Sequence, residues 1–353
     1  MVKPAGILLC GGGTGGHVFP GLAVAAELQR RGVAPLRWVG DPDRIEAKLV
    51  PAAGVTLLPF GLSRPRIRSP RWILRSLRQA WQVWRELRDH PPRVVVALGG
   101  YASLLPGLLA PLAGRPVVVL EQNARAGRTN RLLARLARTV VTQFPEAKRS
   151  LRRVQELGNP VRAFAARERG GNKQLRVLVM GGSLAATSLN AVLTEAAPAL
   201  AAIPGLHLIH LAGEQDAPRV RAAYAEAGLS AEVETFCHDM AALYERIDLA
   251  LCRAGATTVS ELCAAGIGAL YVPLPWAADD HQTANARAVA RLGGAVVLPQ
   301  NSLHAAGLTR LVTRLARERK LVRQLGCNAQ RLARPAAAQA VADLVLATQR
   351  RAA

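Results

Sequence analysis

Ile7-Leu8-Leu9-Cys10-Gly11-Gly12-Gly13-Thr14-Gly15-Gly16-His17 is the segment from which the architecture of this 353-residue chain follows. Residues 7–9 are apolar and read as a buried strand. From Val18 to Arg31, apolar residues at Leu22, Ala25, Ala26 and Leu28 alternate with polar ones at helical spacing, and Gly32 ends the run. Five glycines within residues 11–16 require a tight backbone turn and a close approach to something. The N–H groups at the helix start favour an anion there, most often a phosphate. His17 stands at the mouth of the turn.

Several occupants fit such a turn. Gly11-x-Gly13-x-x-Gly16 matches the dinucleotide fingerprint, and Asp41 follows a second apolar run where a ribose-binding acid belongs. A P-loop needs Lys and Ser/Thr after its last glycine; His17 and Val18 stand there instead, which argues against triphosphate hydrolysis. A sugar-nucleotide or an acceptor diphosphate, with His17 as a working base, is the third reading. A structural turn with no ligand is the fourth. The turn by itself does not choose among them.

The same pattern recurs along the chain. Strand-like runs at 6–10, 36–40, 55–60, 94–98, 117–120 and 139–142 alternate with helical patterns, which predicts a parallel sheet covered on both faces. After the breaker Gly158-Asn159-Pro160 and a polar linker at 167–173, the opening motif returns. Leu175–Met180 is a strand, Gly181-Gly182-Ser183 a glycine turn, and 187–200 a helix. Further strands are expected at 206–211, 233–236, 249–252, 269–272 and 295–298. The predicted fold is α/β, with two doubly wound Rossmann-like domains facing each other across a cleft. Their spans are 1–162 and 163–335; the chain is Arg/Ala-rich and helical from about Leu303, and its last part, 336–353, is expected to pack back on the first domain.

Composition bounds the partners. Lys and Arg number 46 against 24 Asp and Glu, a net charge of +22, which implies an anionic partner or a genomic bias toward arginine. The five cysteines form no CxxC pair and no cluster, so a zinc site or disulfide framework is not expected, and a reducing compartment fits. No signal peptide is read at the N-terminus. Residues 94–114 are uncharged between Arg93 and Arg115, but glycines and prolines break them into a strand, a turn and a short helix rather than a membrane span. Residues 64–93 hold nine arginines against Glu86 and Asp89. Trp72, Ile73, Leu77, Trp81, Trp84 and Leu87 recur there at helical spacing among Arg71, Arg75, Arg78, Arg85 and Arg88. Three readings stand: a surface helix with its stripe in the core, an interfacial helix on anionic lipid, or a nucleic-acid contact, disfavoured because no nucleic-acid module accompanies it.

The remaining candidates lie at strand ends. Gly99-Gly100-Tyr101 forms a second glycine turn beside the first, and Glu121-Gln122-Asn123 is expected to point polar groups into the cleft. Arg162, after Gly158-Asn159-Pro160-Val161, can clamp a diphosphate from the hinge. In Cys252-Arg253-Ala254-Gly255-Ala256-Thr257-Thr258-Val259-Ser260-Glu261 a strand leads through small residues into a helix. Its first N–H groups suit phosphates, and Glu261, one turn in, suits two ribose hydroxyls. Asp279-Asp280-His281-Gln282-Thr283-Ala284-Asn285 is apt for sugar hydroxyls; its two acids are read as helix caps rather than Mg²⁺ ligands. His207 and His210, three apart on a strand, face opposite ways and make no metal site.

Taken together, Gly12–Pro20, Gly99–Tyr101, Glu121–Asn123, Gly158–Arg162, Gly181–Ser183, Arg253–Glu261 and His281–Ala286 resemble the MurG family, the peptidoglycan N-acetylglucosamine (GlcNAc) transferases, in the family's order and over most of the chain. The resemblance implies a GT-B fold and inverting transfer of GlcNAc from UDP-GlcNAc to the N-acetylmuramic acid (MurNAc) 4-hydroxyl of lipid I, undecaprenyl-pyrophosphoryl-MurNAc-pentapeptide, giving lipid II. It implies no cofactor and no protein-bound metal. The partners implied are the two substrates and an anionic membrane surface, with no nucleic acid. The place implied is the cytoplasmic face of the bacterial inner membrane, as a peripheral protein.

By motif position the resemblance gives the donor to Thr14, Gly15, Gly16, Asn123, Arg162, Ser183, Cys237, Ala256, Thr257, Thr258, Val259, Ser260, Glu261 and Gln282. It gives the acceptor to His17, Gly100, Tyr101 and Asn123, with His17 as the catalytic base. Two departures stand out: Leu184-Ala185 where the family has Gln-Gly, and His281 where some members carry glutamine. The rival enzyme reading is an NAD-dependent oxidoreductase, which leaves the second glycine turn and the helix at 257–261 unused. A GT-B transferase acting on another glycolipid is the nearer alternative.

Overall fold

The structure is a computed structural model, and it describes residues 6–60, 62, 69–162, 164, 174–181 and 186–350. The chain divides into two compact units, residues 1–161 with 334–353, and residues 162–333.

Unit 1 runs β1 (Ile7–Cys10), α1 (Gly15–Arg30), β2 (Leu36–Val39), α2 (Glu46–Ala52), β3 (Thr56–Leu58), α3 (Pro70–Asp89), β4 (Val94–Ala97), α4 (Leu104–Leu112), β5 (Val117–Glu121), α5 (Arg128–Leu133), β6 (Thr139–Thr142) and β7 (Val154–Gln155). The seven strands lie in the order β3-β2-β1-β4-β5-β6-β7, all parallel. Successive residues alternate between two cores, as the pleat requires. Ile7, Leu9, Val94 and Val96 pack on α1, whereas Leu8, Cys10, Val95 and Ala97 share a core with Val83 and Leu87 of α3. Both faces are covered, which is why these strands read as unbroken apolar runs.

Unit 2 repeats the plan with β8 (Leu175–Met180), α6 (Ala186–Ala201), β9 (Leu206–Leu211), α7 (Ala217–Glu226), β10 (Ala231–Glu234), α8 (Met240–Glu245), β11 (Leu249–Cys252), α9 (Ala256–Ala264), β12 (Gly268–Tyr271), α10 (His281–Arg291), β13 (Ala295–Val297), α11 (Ala305–Arg317) and α12 (Arg319–Gln330). Its strand order is β10-β9-β8-β11-β12-β13, again parallel. In each unit the order reverses beside the first strand, between β1 and β4 and between β8 and β11. Ligands of open parallel sheets bind outside the carboxyl ends of the strands at such a point.

The C-terminal helices part company. α11 and α12 stay with unit 2, where Leu308, Val312, Leu315 and Val322 join its core. Only α13 (Ala337–Arg350) lies on unit 1, against α1 and β4, with Val341, Ala342 and Val345 in the core and Asp343 paired with Arg31. Of the helical residues from about Leu303, then, only those of α13 return to the first unit. α11 packs on α6, and α12 packs on α9 and β12 within unit 2.

The Trp/Arg helix also departs from one reading. α3 starts at an N-cap where Ser69 accepts from Trp72 N–H at 3.4 Å. It is fastened to the sheet by Val83 and Leu87, and by Arg37, which pairs with Glu86 and donates to the His90 carbonyl at 2.6 Å. Ile73, Leu74, Leu77 and Trp81 are instead 42%, 68%, 63% and 59% exposed. The stripe is therefore split: Leu87 is core, Trp72 and Trp84 are half-buried, and Ile73, Leu77 and Trp81 face outward. No helix among the described residues is long and apolar enough to cross a membrane.

Candidate functional site

The first glycine turn is tighter than its sequence reveals, because α1 begins inside it at Gly15 rather than near Val18. Thr14 is the N-cap, in extended conformation, and its carbonyl accepts from His17 and Val18 N–H at 3.1 and 3.2 Å. The N–H groups of Gly15 and Gly16 belong to the first helical turn, where no intrahelical partner exists. His17 thus lies in that turn, on the helix itself, beside two open donors.

The second turn supplies the wall for His17. Gly99 and Gly100 have φ of 99° and 74°, the left-handed region that glycine enters without cost. A methyl group on Gly99 would come within 3.2 Å of His17 Cε1, one on Gly100 within 3.3 Å of His17 Cδ2 and 2.6 Å of the Gly12 carbonyl. The imidazole therefore rests on bare backbone. Ser103 locks the corner: its hydroxyl accepts from Gly99 N–H at 2.9 Å and donates toward the Cys10 and Gly99 carbonyls, 2.7 and 2.8 Å away. Tyr101 follows on a single 3₁₀ turn, exposed.

Beneath the first turn lies a residue that motif reading passed over. Glu46, fully buried at the start of α2, accepts from Gly13 N–H with both carboxylate oxygens at 3.1 Å and from Asp41 N–H at 3.1 Å. Any side chain on Gly12 would overlap that carboxylate. Gly13 N–H is thus committed inward, leaving Gly15 and Gly16 as the donors of this turn. Asp41, proposed for a ribose under the dinucleotide reading, is buried and closes a local turn by accepting from Asp43 N–H at 3.0 Å. The only sequence signal for Glu46 is an acid opening a short helix, which ordinarily marks a solvated dipole partner.

The strand end at β5 corrects an expectation. Glu121 and Gln122 do not present themselves to a ligand. Glu121 is buried and accepts from Asn123 N–H and Nδ2, Gly127 N–H and Asn130 Nδ2 at 2.9–3.1 Å. Its carboxyl lies above the usual range because burial outweighs those donors. Gln122 Nε2 donates to the Leu98 carbonyl at 2.9 Å. Asn123 remains half-buried at the rim.

In unit 2 the site gathers around α9. Gly255 is its N-cap, and Val259 N–H already bonds the Gly255 carbonyl at 2.9 Å. Open donors are therefore limited to Ala256, Thr257 and Thr258. Val259 and Ser260 turn inward, buried, with Ser260 Oγ donating to the Ala256 carbonyl at 2.7 Å. Glu261 sits one turn on and accepts from Tyr244 Oη at 3.1 Å. Burial raises its carboxyl pKa, opposed by that hydrogen bond and by the nearby positive charge of Arg162.

The turn before α9 is held by Arg253, another residue whose role the sequence did not reveal. Arg253 is buried and donates to the Val272 carbonyl, Ser188 Oγ and Gln300 Oε1 at 2.7–2.9 Å. Gln282 Oε1 accepts from Ala254 and Leu274 N–H at 3.3 and 3.0 Å, and Asn285 Nδ2 donates to the Ala254 carbonyl at 3.1 Å. Gln282 and Asn285 thus tie the β12–α10 loop to the α9 turn, and Gln282 stays half-buried. Asp279 and Asp280 stand at φ of 53° and 52°; Asp280 occupies the N-cap position of α10, as the cap reading has it, but its side chain makes no capping bond. Cys237 is half-buried after the exposed Phe236, whose ring meets His238 edge-on at 4.9 Å. Ser183, with Leu184 and Ala185, lies outside the described residues. His207 and His210 are separated as expected: His207 meets Ser230 and Glu232, whereas His210 is buried between Tyr224 Oη and Asn190 Oδ1. Among the described residues no group of three or more His, Cys, Asp and Glu is placed to hold a metal ion.

Comparison with known proteins follows the same division. Residues 7–142 match the glycosyltransferase family 28 N-terminal domain and residues 176–341 its C-terminal domain. A Stutzerimonas stutzeri protein named UDP-N-acetylglucosamine–N-acetylmuramyl-(pentapeptide) pyrophosphoryl-undecaprenol N-acetylglucosamine transferase is 45% identical, over 97% of this chain and 98% of its own. A Bordetella pertussis protein of the same name is 44% identical over 98% of both. Among solved structures, Acinetobacter baumannii MurG superposes with a TM-score of 0.83 at 35% identity, covering 98% of this chain and all of its own. The glycosyltransferase of kitacinnamycin, at 20% identity and a TM-score of 0.72, shares the fold.

Proposed function

Since the chain belongs to glycosyltransferase family 28 and to the MurG transferases within it, we propose that it transfers GlcNAc from UDP-GlcNAc to the MurNAc 4-hydroxyl of lipid I. Unit 2 takes the donor and unit 1 the acceptor. The observation that carries this reading is the pairing, on one helix start, of open N–H donors at Ala256, Thr257 and Thr258 with the Glu261 carboxylate one turn later. A diphosphate suits the former and a ribose diol the latter, so one helix reads both halves of a nucleoside diphosphate. Arg162 adds a guanidinium beside Glu261, and Gln282 offers its amide nitrogen to the sugar, its oxygen being engaged with the backbone. Ser183 and Cys237 complete the donor set by motif position, while Val259 and Ser260 serve as support.

The chemistry is a direct displacement. His17 removes the proton from the MurNAc 4-hydroxyl as that oxygen attacks the anomeric carbon. The bond to UDP breaks with its electron pair on the diphosphate, and the anomeric centre inverts. Arg162 and the α9 N-terminus stabilise the departing charge. Gly15 and Gly16 N–H, Gly100, Tyr101 and Asn123 position the acceptor and the reacting sugar. His17→Ala is expected to lower kcat by about 10²–10⁴-fold; near-full turnover with weakened acceptor binding alone would remove the base assignment. The exposed Ile73, Leu74, Leu77 and Trp81 among arginines support a peripheral seat on anionic lipid at the cytoplasmic membrane face, where the acceptor resides. Thermal shift compares the donor classes directly: stabilisation by UDP-GlcNAc supports the reading, whereas stabilisation by NADH alone would overturn it.

A further inference from the structure

Tyr244 lies deep in unit 2, on the short helix α8, and no motif marks it. Its hydroxyl donates to Glu261 Oε2 at 3.1 Å. Its ring packs against Phe164, with centroids 5.4 Å apart and planes tilted by 58°. Phe164 is two residues from Arg162, whose positive charge acts on both Tyr244 and Glu261. A single buried side chain thus touches the candidate ribose carboxylate with one end and the segment bearing the candidate diphosphate arginine with the other.

We propose that Tyr244 is a positioning residue that sets the orientation of the Glu261 carboxylate and of the Arg162 segment together, and thereby fixes recognition of the ribose hydroxyls of the donor. The inference rests on the donor assignment above. The physical reason is rotamer control. A glutamate carboxylate is broad in its last torsion, and holding Oε2 on the Tyr244 hydroxyl leaves Oε1 directed at one side. A buried hydroxyl that donates to a carboxylate also favours its ionised form, the form that accepts from a diol. Burial raises the Tyr244 hydroxyl well above its ordinary pKa, so it stays a donor throughout the working range.

The test is Tyr244→Phe, which keeps the ring on Phe164 and deletes only the hydroxyl. Transfer kinetics are measured for wild type and variant with UDP-GlcNAc and with its 2′-deoxyribose and 3′-deoxyribose analogues, beside a thermal-unfolding control. Wild type is expected to prefer the ribose donor. The variant is expected to show a donor KM raised roughly three- to tenfold, kcat and acceptor KM within about twofold, and a ribose preference reduced by the same factor as KM. A variant that keeps the wild-type donor KM and the full ribose preference would overturn the Tyr244 assignment alone. A wild type that uses the deoxyribose donors equally well would overturn it together with the ribose role of Glu261. A wild type with no UDP-GlcNAc activity would remove the donor reading from which both descend.

Discussion

Glu46 holds the first glycine turn at Gly12 and Gly13, while His17 rests on Gly99 and Gly100 of the second. Glu46→Ala leaves the buried Asp41 N–H without its acceptor, a loss of about 1–3 kcal/mol, and releases the exposed Gly13 N–H to water. Glu46→Gln keeps an oxygen where Oε1 now accepts both, so urea unfolding should place the glutamine variant between wild type and alanine. Turnover should rank the three in that order, because the segment carries the Gly12 carbonyl that abuts Gly100 and, through it, His17. Equal stability of wild type and Glu46→Ala would contradict the clamp. The glycine motifs and His17 were legible in the sequence because their chemistry is local. Glu46, Arg253 and Tyr244 were not, since each acts through partners dozens of residues away or across a sheet, and a buried acid or arginine leaves no periodic mark.

Element boundaries follow the same logic. β6, β8, β9 and β11 match their apolar runs residue for residue, because both faces of a parallel sheet must be apolar. β10 occupies Ala231–Glu234 rather than 233–236, as an edge strand whose polar residues hide it, and the two-residue β7 falls below any run length. α1 starts three residues before its apolar period, since Gly15 and Gly16 read as turn while serving as helix. α3 shows where periodicity misleads: an apolar stripe specifies a buried face without naming what buries it. Leu77→Glu and Trp81→Glu are expected to change unfolding free energy by no more than about 0.5 kcal/mol, as exposed positions do. The same variants should lose sedimentation with phosphatidylglycerol-containing vesicles, and wild-type binding should weaken as salt rises. Unchanged vesicle binding by both would remove α3 from the membrane reading.

For the whole chain, two units each built on a parallel sheet are expected to report separately on stability and on activity. Unit 2 holds His210 buried, between the Tyr224 hydroxyl and Asn190 Oδ1. Asn190 Nδ2 is spent on Ala212 and Asp216, so His210 donates from Nε2 and stays neutral. Burial lowers its pKa from 6.5 to about 4. Between those values the unfolded chain binds the additional proton, so stability rises with pH through the window. The contribution is complete above about pH 6.5 and lost as pH falls toward 4, on the order of 3 kcal/mol. Denaturant unfolding from pH 4 to 7 should show this slope, flattened in His210→Gln; an unchanged slope would exclude His210 as its source. Purified wild type, given UDP-GlcNAc radiolabelled in the sugar and a lipid I analogue, should move label into the lipid product with inversion at the anomeric carbon and release UDP. Glu261→Ala, folded by circular dichroism, should do so far more slowly. Label that stays with the nucleotide, or that reaches another glycolipid but not lipid I, would contradict the account.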